Sequence, residues 1–245
     1  MKKVLFAFAV ASLGLGFTSC DDDEKITPID YGMKTFEADY MYDTDEESAY
    51  YGNHTQQTFM KLGEEEAVHM GVMGDDSWTD FSMVADPEHE DYNISTNITG
   101  WDLAFTHYTA MQVEYPGYGL YTVTASGVLI NTEEGIEVGV YDYTDSEDIT
   151  TISSAFADMT LADVETYNLE YSSDIATIGY GWKTVDTSVT PALYTVNSNK
   201  FYILKMNNGD VYKLRFVSFQ TFNGADQSRI AECEYALMEP TEAAE

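Results

Sequence analysis

Catalytic and metal-binding chemistry needs histidines, thiols or carboxylates brought together in patterns that a sequence often displays, and this chain displays few. Its four histidines, His54, His69, His89 and His107, are scattered, and none stands in a His-x-x-x-His setting. No Gly-x-Ser-x-Gly context for a nucleophile accompanies them. Acid pairs abound, but 43 Asp and Glu residues make chance pairs inevitable, so their spacing is no evidence for glycoside chemistry. Asp142, Asp145 and Asp148 recur every third residue, as a calcium loop would, yet the turn glycine of an EF-hand is missing. The expectation is therefore a protein that is not an enzyme, with no catalytic residues and no metal site.

The cysteine with an assignable chemistry is Cys20. Met1-Lys2-Lys3, an apolar run over 4–10 and the small residues Thr18-Ser19 before it make a secretory signal, too short to span a bilayer permanently. A cysteine directly after that small pair is the pattern of a lipoprotein signal, in which the thiol is acylated and becomes the new N-terminus. The alternative is an ordinary cysteine with the cut nearby. Asp21-Asp22-Asp23-Glu24-Lys25 follows and resembles the acidic tag that sends lipoproteins of certain Gram-negative bacteria to the outer face of the outer membrane. Read by itself, such a run is a solvated tether. The predicted organisation is a signal peptide over 1–19, a lipidated acidic tether over 20–31, one β domain over 32–239 and a C-terminal tail over 240–245.

The formal net charge is −32, and loss of Lys2 and Lys3 with the signal makes it more negative by two. Nucleic-acid binding is excluded, because phosphate contacts need clustered Lys and Arg. An anionic bilayer would repel the chain as well, which leaves the lipid as its only membrane anchor. After lipidation of Cys20 only Cys233 remains, so neither a disulfide framework nor a thiolate metal site is available.

The elements that position the remaining side chains are mostly strands. Alternation is clearest over 201–206 and 211–219, joined by Asn207-Asn208-Gly209-Asp210, where Asn-Gly supplies the positive-φ positions of a tight hairpin. The second strand sets Tyr212, Leu214 and Phe216 on one face and Lys213 and Arg215 on the other. The last strand, 229–237, groups Ala231, Cys233, Tyr235 and Leu237, which makes Cys233 a core residue. Further strands are predicted at 101–105, 121–123, 127–130 and 134–143. Ile152, Phe156 and Met159 instead follow helical spacing and predict one or two short helical turns between 146 and 167. The fold expected is a single antiparallel all-β domain, sandwich or barrel-like.

Three segments in order resemble the HmuY-like family of bacterial haem-capturing lipoproteins. They are Thr58-Phe59-Met60-Lys61-Leu62-Gly63-Glu64, then Trp101-Asp102-Leu103-Ala104-Phe105 with Tyr108, then the stretch from Trp182 through the Asn208-Gly209 hairpin to Leu237, with Lys213, Phe216 and Phe219-Gln220. The resemblance implies an all-β haemophore that holds haem through two axial side chains, one on each face of the iron. Counted from Gly181-Trp182, the family's second histidine falls at Thr187, a poor iron ligand. The first ligand falls in the helical segment, where Met159 is the only thioether and so the implied axial ligand. Its other reading is core packing beside Ile152 and Phe156. Thr106-His107 stands where the family commonly has His-Arg, and His107 reads as a surface or turn residue. Six bases in the C-terminal quarter, Lys183, Lys200, Lys205, Lys213, Arg215 and Arg229, would suit haem propionates, and equally balance acidic neighbours.

The function implied is a lipid-anchored outer-membrane protein facing the cell exterior, which captures haem or a related porphyrin and passes it to an outer-membrane transporter. Two alternatives stand beside it: the same scaffold binding another small ligand, and a structural or adhesive surface module with none.

Overall fold

A computed structural model describes residues 32–84, 94, 96–115, 119–186, 188–189, 192–221 and 228–239, all within the compact unit Tyr31–Glu245. Cys20, the signal segment, the tether, His89, Thr187 and the tail over 240–245 lie outside the described residues.

Alternating apolar residues build strands in two antiparallel sheets. The larger contains β1 (Lys34–Asp39), β6 (Glu137–Asp142), β7 (Tyr171–Ser172), β10 (Lys200–Lys205), β11 (Val211–Thr221) and β12 (Arg229–Leu237), in the order β1-β12-β11-β10-β6-β7. The smaller contains β2 (Gln56–Met60), β3 (His69–Val72), β4 (Leu103–Tyr115) and β5 (Gly119–Ile130), in the order β3-β2-β4-β5. A ribbon of β8 (Lys183–Asp186) and β9 (Leu193–Val196) is hydrogen-bonded into neither sheet and packs on the larger one through Tyr194 and Phe219.

The sheets face each other across one apolar core. Phe36, Tyr202, Leu204, Leu214, Phe216, Cys233 and Tyr235 come from the larger sheet, and Met60, Leu103, Phe105, Val128 and Ile130 from the smaller. Phe105 bridges the layers, its ring centroid 5.5 Å from that of Phe36 and 6.4 Å from that of Phe216. Each fully buried ring of this kind contributes about 2–3 kcal/mol of transfer free energy. The fold is thus the all-β architecture expected from the alternation, and Cys233 sits fully buried within it.

The outer face of the larger sheet is also covered, which alternation alone did not reveal. Helix α1 (Ile149–Asp158) is longer than the short turns expected, and α2 (Leu161–Thr166) follows it. Asp148 caps α1 by accepting the Thr151 N–H at 2.8 Å, a structural role for the carboxylate that suggested a calcium loop. Thr160 and Asp163 form a capping box on α2. Ile152 and Phe156 pack onto Phe201 and Ile203. Lys213, on the strand's polar-looking face, is 5% exposed and donates to the carbonyls of Phe156, Ala157 and Met159 at 2.8, 2.6 and 3.0 Å. Arg215 bonds Glu234 at 2.7 Å and Ser153 at 2.9 Å. The two cations therefore fasten α1 to the sheet.

The β10–β11 turn differs from the one predicted. Only Gly209 has a positive φ, 94°, while Gly209 N–H bonds the Met206 carbonyl at 3.0 Å and Met206 N–H bonds Asp210 at 2.8 Å. A three-residue loop closed by a left-handed glycine results, in place of a two-residue Asn-Gly turn. Likewise the stretches predicted at 101–105, 121–123 and 127–130 belong to one long antiparallel pair, β4 with β5, which runs on through Thr106 and Gly127 with a register shift between Thr109 and Met111.

Candidate functional site

Trp101-Asp102 turns out to be architecture. Trp101 is 4% exposed and packs edge-on against Phe59 and Phe81. Asp102 accepts the Leu62 N–H at 2.7 Å and its carboxyl is pushed up by burial, against the pull of that bond and of Lys61. The segment fixes the turn after β2 and carries no open chemistry.

The register of β2 on β4 does bring chemistry together. Thr58 pairs with Phe105 and Met60 with Leu103, so the chain just before β2 runs alongside the continuation of β4. His54 is held there by a bridge to Tyr42, with the Thr55 N–H bonded to the Met41 carbonyl at 2.9 Å. Its ring centroid lies 6.1 Å from that of His107. Tyr40 and Tyr42 flank His54 at 5.8 and 5.3 Å, and Trp78 flanks His107 at 5.4 Å. His107 is only 7% exposed, which corrects its reading as a surface or turn residue.

Cations complete the nest. Lys183, 4% exposed, donates to the Ser126 carbonyl and lies 3.9 Å from the Trp182 ring and 5.3 Å from that of Phe219. Phe219 in turn meets Tyr40 at 6.2 Å and Tyr194 at 5.2 Å. The Arg229 guanidinium sits 5.0 Å over Tyr42. Hairpin β4–β5, ribbon β8–β9 and hairpin β11–β12 thus converge here.

Burial, then the positive potential of His107, Lys183 and Arg229, lowers the His54 pKa to about 3. His107 is also held below its ordinary value by burial, opposed by a hydrogen bond to the His54 backbone and by Asp80. Both imidazoles are neutral at physiological pH, and the buried Nδ1 of His107 has no hydrogen-bond partner. Burial alone lowers the Lys183 pKa to about 7. Neutral imidazole is the form that ligates iron and other borderline metals, and aromatic walls with the Arg229 guanidinium and a partly protonated Lys183 suit a flat anionic guest. By donor chemistry the nest fits haem.

The other sequence-predicted residue lies elsewhere. Met159 closes α1 and packs with Ile152, Phe156, Val164, Phe201, Ile203 and Met238, 6% exposed. His69 is on β3 with Nε2 3.1 Å from the Ser77 carbonyl, outside the nest. Reading the sequence as four scattered histidines missed the pairing of His54 with His107. The only available signal was the antiparallel pairing of two strands far apart in sequence.

Two cavities among the described residues are lined by neither a histidine nor Met159. One, about 460 Å³, lies among Lys61, Asp102, Glu133, Glu134, Asp210 and Tyr212. The other, about 390 Å³, is walled by Ile94, Ile98, Trp101 and Ile175 on one side and by polar residues including Asn131, Glu133 and Glu134 on the other.

A family model described as HmuY protein matches residues 53–235. No curated protein matches the chain. Among solved structures, a chain assigned as a lipoprotein from Bacteroides fragilis is 20% identical, with 86% of this chain and 94% of that chain covered and a TM-score of 0.43. A chain assigned as a HmuY-like heme binding protein from Bacteroides vulgatus is 16% identical, covering 84% and 92%, TM-score 0.38. An apo HmuY analog from Tannerella forsythia is 11% identical, covering 87% and 99%, TM-score 0.28.

Proposed function

The chain belongs to the HmuY family, and from that premise we propose that it is a lipid-anchored carrier that captures haem or a related porphyrin at the cell exterior and passes it to an outer-membrane transporter. Members of the family are haem-binding carriers and not enzymes. The observation that carries the reading is the meeting of two neutral imidazoles, His54 and His107, with Lys183 and Arg229 in one aromatic nest. In this reading the imidazoles supply donors to iron, while the cations offset carboxylates on the porphyrin edge. Capture and release are binding steps without covalent chemistry. Cys20, acylated after removal of 1–19, anchors the domain through the acidic tether over 20–31.

Haemin titration of the fragment starting after Lys25 tests the site. The expected result is a Soret shift saturating at one equivalent, lost in His107→Ala and in His54→Ala. Met159→Ala belongs in the same series, because the thioether is the donor that the family pattern implies. Loss of the shift in Met159→Ala alone would move the iron to α1 and overturn the histidine assignment. No Soret change in either redox state would sink the haem reading. Palmitate labelling tests the anchor at Cys20, and protease shaving of intact cells tests outward display.

A second reading, in which the scaffold takes another small ligand, is favoured by the 390 Å³ cavity beside Trp101, where aliphatic side chains meet Asn131, Glu133 and Glu134. Quenching of tryptophan fluorescence by a small ligand that leaves the haemin titration unchanged would support it.

A further inference from the structure

The sandwich is open along one flank. β3 is the last strand of the smaller sheet and β1 the last of the larger. Val68, Met70 and Val72 are spaced by two, so they share a face. Through the pairs Gln56 with Val72 and Thr58 with Met70, that face is the one that Thr58 and Met60 present to the core and to β1. Thr58 Oγ1 and Gln56 Nε2 both donate to the Asp39 carbonyl of β1, at 3.3 and 3.1 Å. Among the described residues, the larger sheet has no strand beyond β1 to lie opposite β3. The three core-facing side chains are consequently uncovered, at 37%, 51% and 46% exposure. The opposite face of β3 is closed: a Cβ at Gly71 would sit 2.7 Å from the Ser77 carbonyl oxygen.

β1 offers a backbone edge to the same opening. Tyr40 N–H bonds the Arg229 carbonyl, and the register Lys34 with Tyr235 through Asp39 with Ile230 alternates from there. The backbone groups of Thr35 and Glu37 therefore point away from β12, toward the free edge. Acids border the opening. Glu37 lies on β1, Glu64, Glu65 and Glu66 on the turn leading to β3, and Asp75 and Asp76 on the turn leaving it, all exposed. That turn is tied to β1 and β12, since Lys34 Nζ donates to the Gly63 carbonyl at 2.6 Å and Tyr235 to that of Glu64.

We infer that this flank receives an extended segment of another protein in which apolar and basic residues alternate. Its backbone pairs with β1, its apolar side chains cover Val68, Met70 and Val72, and its bases meet the acidic border. A second copy of the chain does not fit, because the two acidic borders would face each other. The chain's own tether over 20–31 is unsuited for the same reason, being acidic itself.

The test uses the lipid-free chain starting at residue 21 and the fluorescent peptide Lys-Val-Lys-Phe-Lys-Val-Lys, with Lys-Lys-Lys-Lys-Val-Phe-Val as a control of equal charge. Anisotropy is expected to show binding of the alternating peptide that weakens with salt, and affinity lower by about tenfold or more in Met70→Ser/Val72→Ser. Because these side chains are half exposed, the variant is expected to keep the wild-type melting temperature. Equal binding of both peptides, or equal binding by wild type and variant, would reduce the effect to bulk acidity and overturn the inference. Dimerisation in sedimentation that disappears in the variant would overturn it in favour of a second copy. Binding seen only after truncation to residue 31 would do so in favour of the tether.

Discussion

Replacing Lys183 with methionine should raise stability at neutral pH and remove a pH dependence that the native chain carries. The ammonium is buried with one carbonyl acceptor and two aromatic faces, and burial is the sole cause that moves its pKa from 10.5 to about 7. The folded value lies below the unfolded one, so between about pH 7 and 10.5 the unfolded chain binds the extra proton. Stability therefore rises with pH through that window, and the penalty is fully present below it. A shift of about 3.5 units at about 1.4 kcal/mol each gives a penalty of about 5 kcal/mol. Lys183→Met abolishes it but leaves the Ser126 carbonyl unpaired and loses the cation–π contacts, a cost of about 2 kcal/mol. The variant should be about 3 kcal/mol more stable at pH 7, with the gap closing at about pH 9 and reversing above it as the burial penalty falls below the constant cost of about 2 kcal/mol. Urea midpoints of both proteins across that range measure it, and taking their difference cancels the other titrating groups. A gap that is independent of pH, or that widens as pH rises, would refute the reasoning. The same substitution should weaken haemin binding, since it removes a cation from the nest.

His54 predicts an acid limb of the same origin, burial of a base, at lower pH. Its folded pKa of about 3 lies below the ordinary 6.5, so stability present above pH 6.5 is lost as pH falls toward 3, and His54→Asn should flatten that loss in acid-denaturation midpoints. Lys213→Met strips three carbonyls at the end of α1 of their donor, with an expected cost of about 2–4 kcal/mol and faster amide exchange over 149–159. Gly127→Ala should destabilise by about 1–3 kcal/mol in denaturant melts, because its Cβ would meet the Tyr108 ring and lie 2.8 Å from the Gly179 carbonyl. Asp102→Ala leaves the buried Leu62 N–H without its acceptor, and about 2 kcal/mol should disappear in the same assay.

Local pattern revealed the strands, the helical spacing of Ile152 and Phe156 and the burial of Cys233, since each depends on neighbours only a few residues away. Lys213 and Arg215 looked like a polar strand face, and nothing local could say that a helix from fifty residues upstream would cover them and use their charges. Asn208-Gly209 marked a turn correctly but not its type, because Met206 and Asp210 extend the pairing and leave only Gly209 in the left-handed region. His54 and His107 illustrate the largest gap. Their meeting depends on strand register, which a single sequence specifies only through the combined packing of both sheets. Met159 satisfied the helical pattern and the family position at once, and its surroundings are those of the pattern.

The pairing of β1 with β12 has a consequence for how the protein is made. The first strand to be synthesised among the described residues finds its hydrogen-bond partner only in the last, so the larger sheet cannot finish until the C-terminal segment has been made. Folding dominated by such distant pairing is slow, and the unfinished sheet exposes strand edges that aggregate. It also follows that clipping a few residues from 229–237 would release β1 as well as β12, undoing both ends of the chain with one cut.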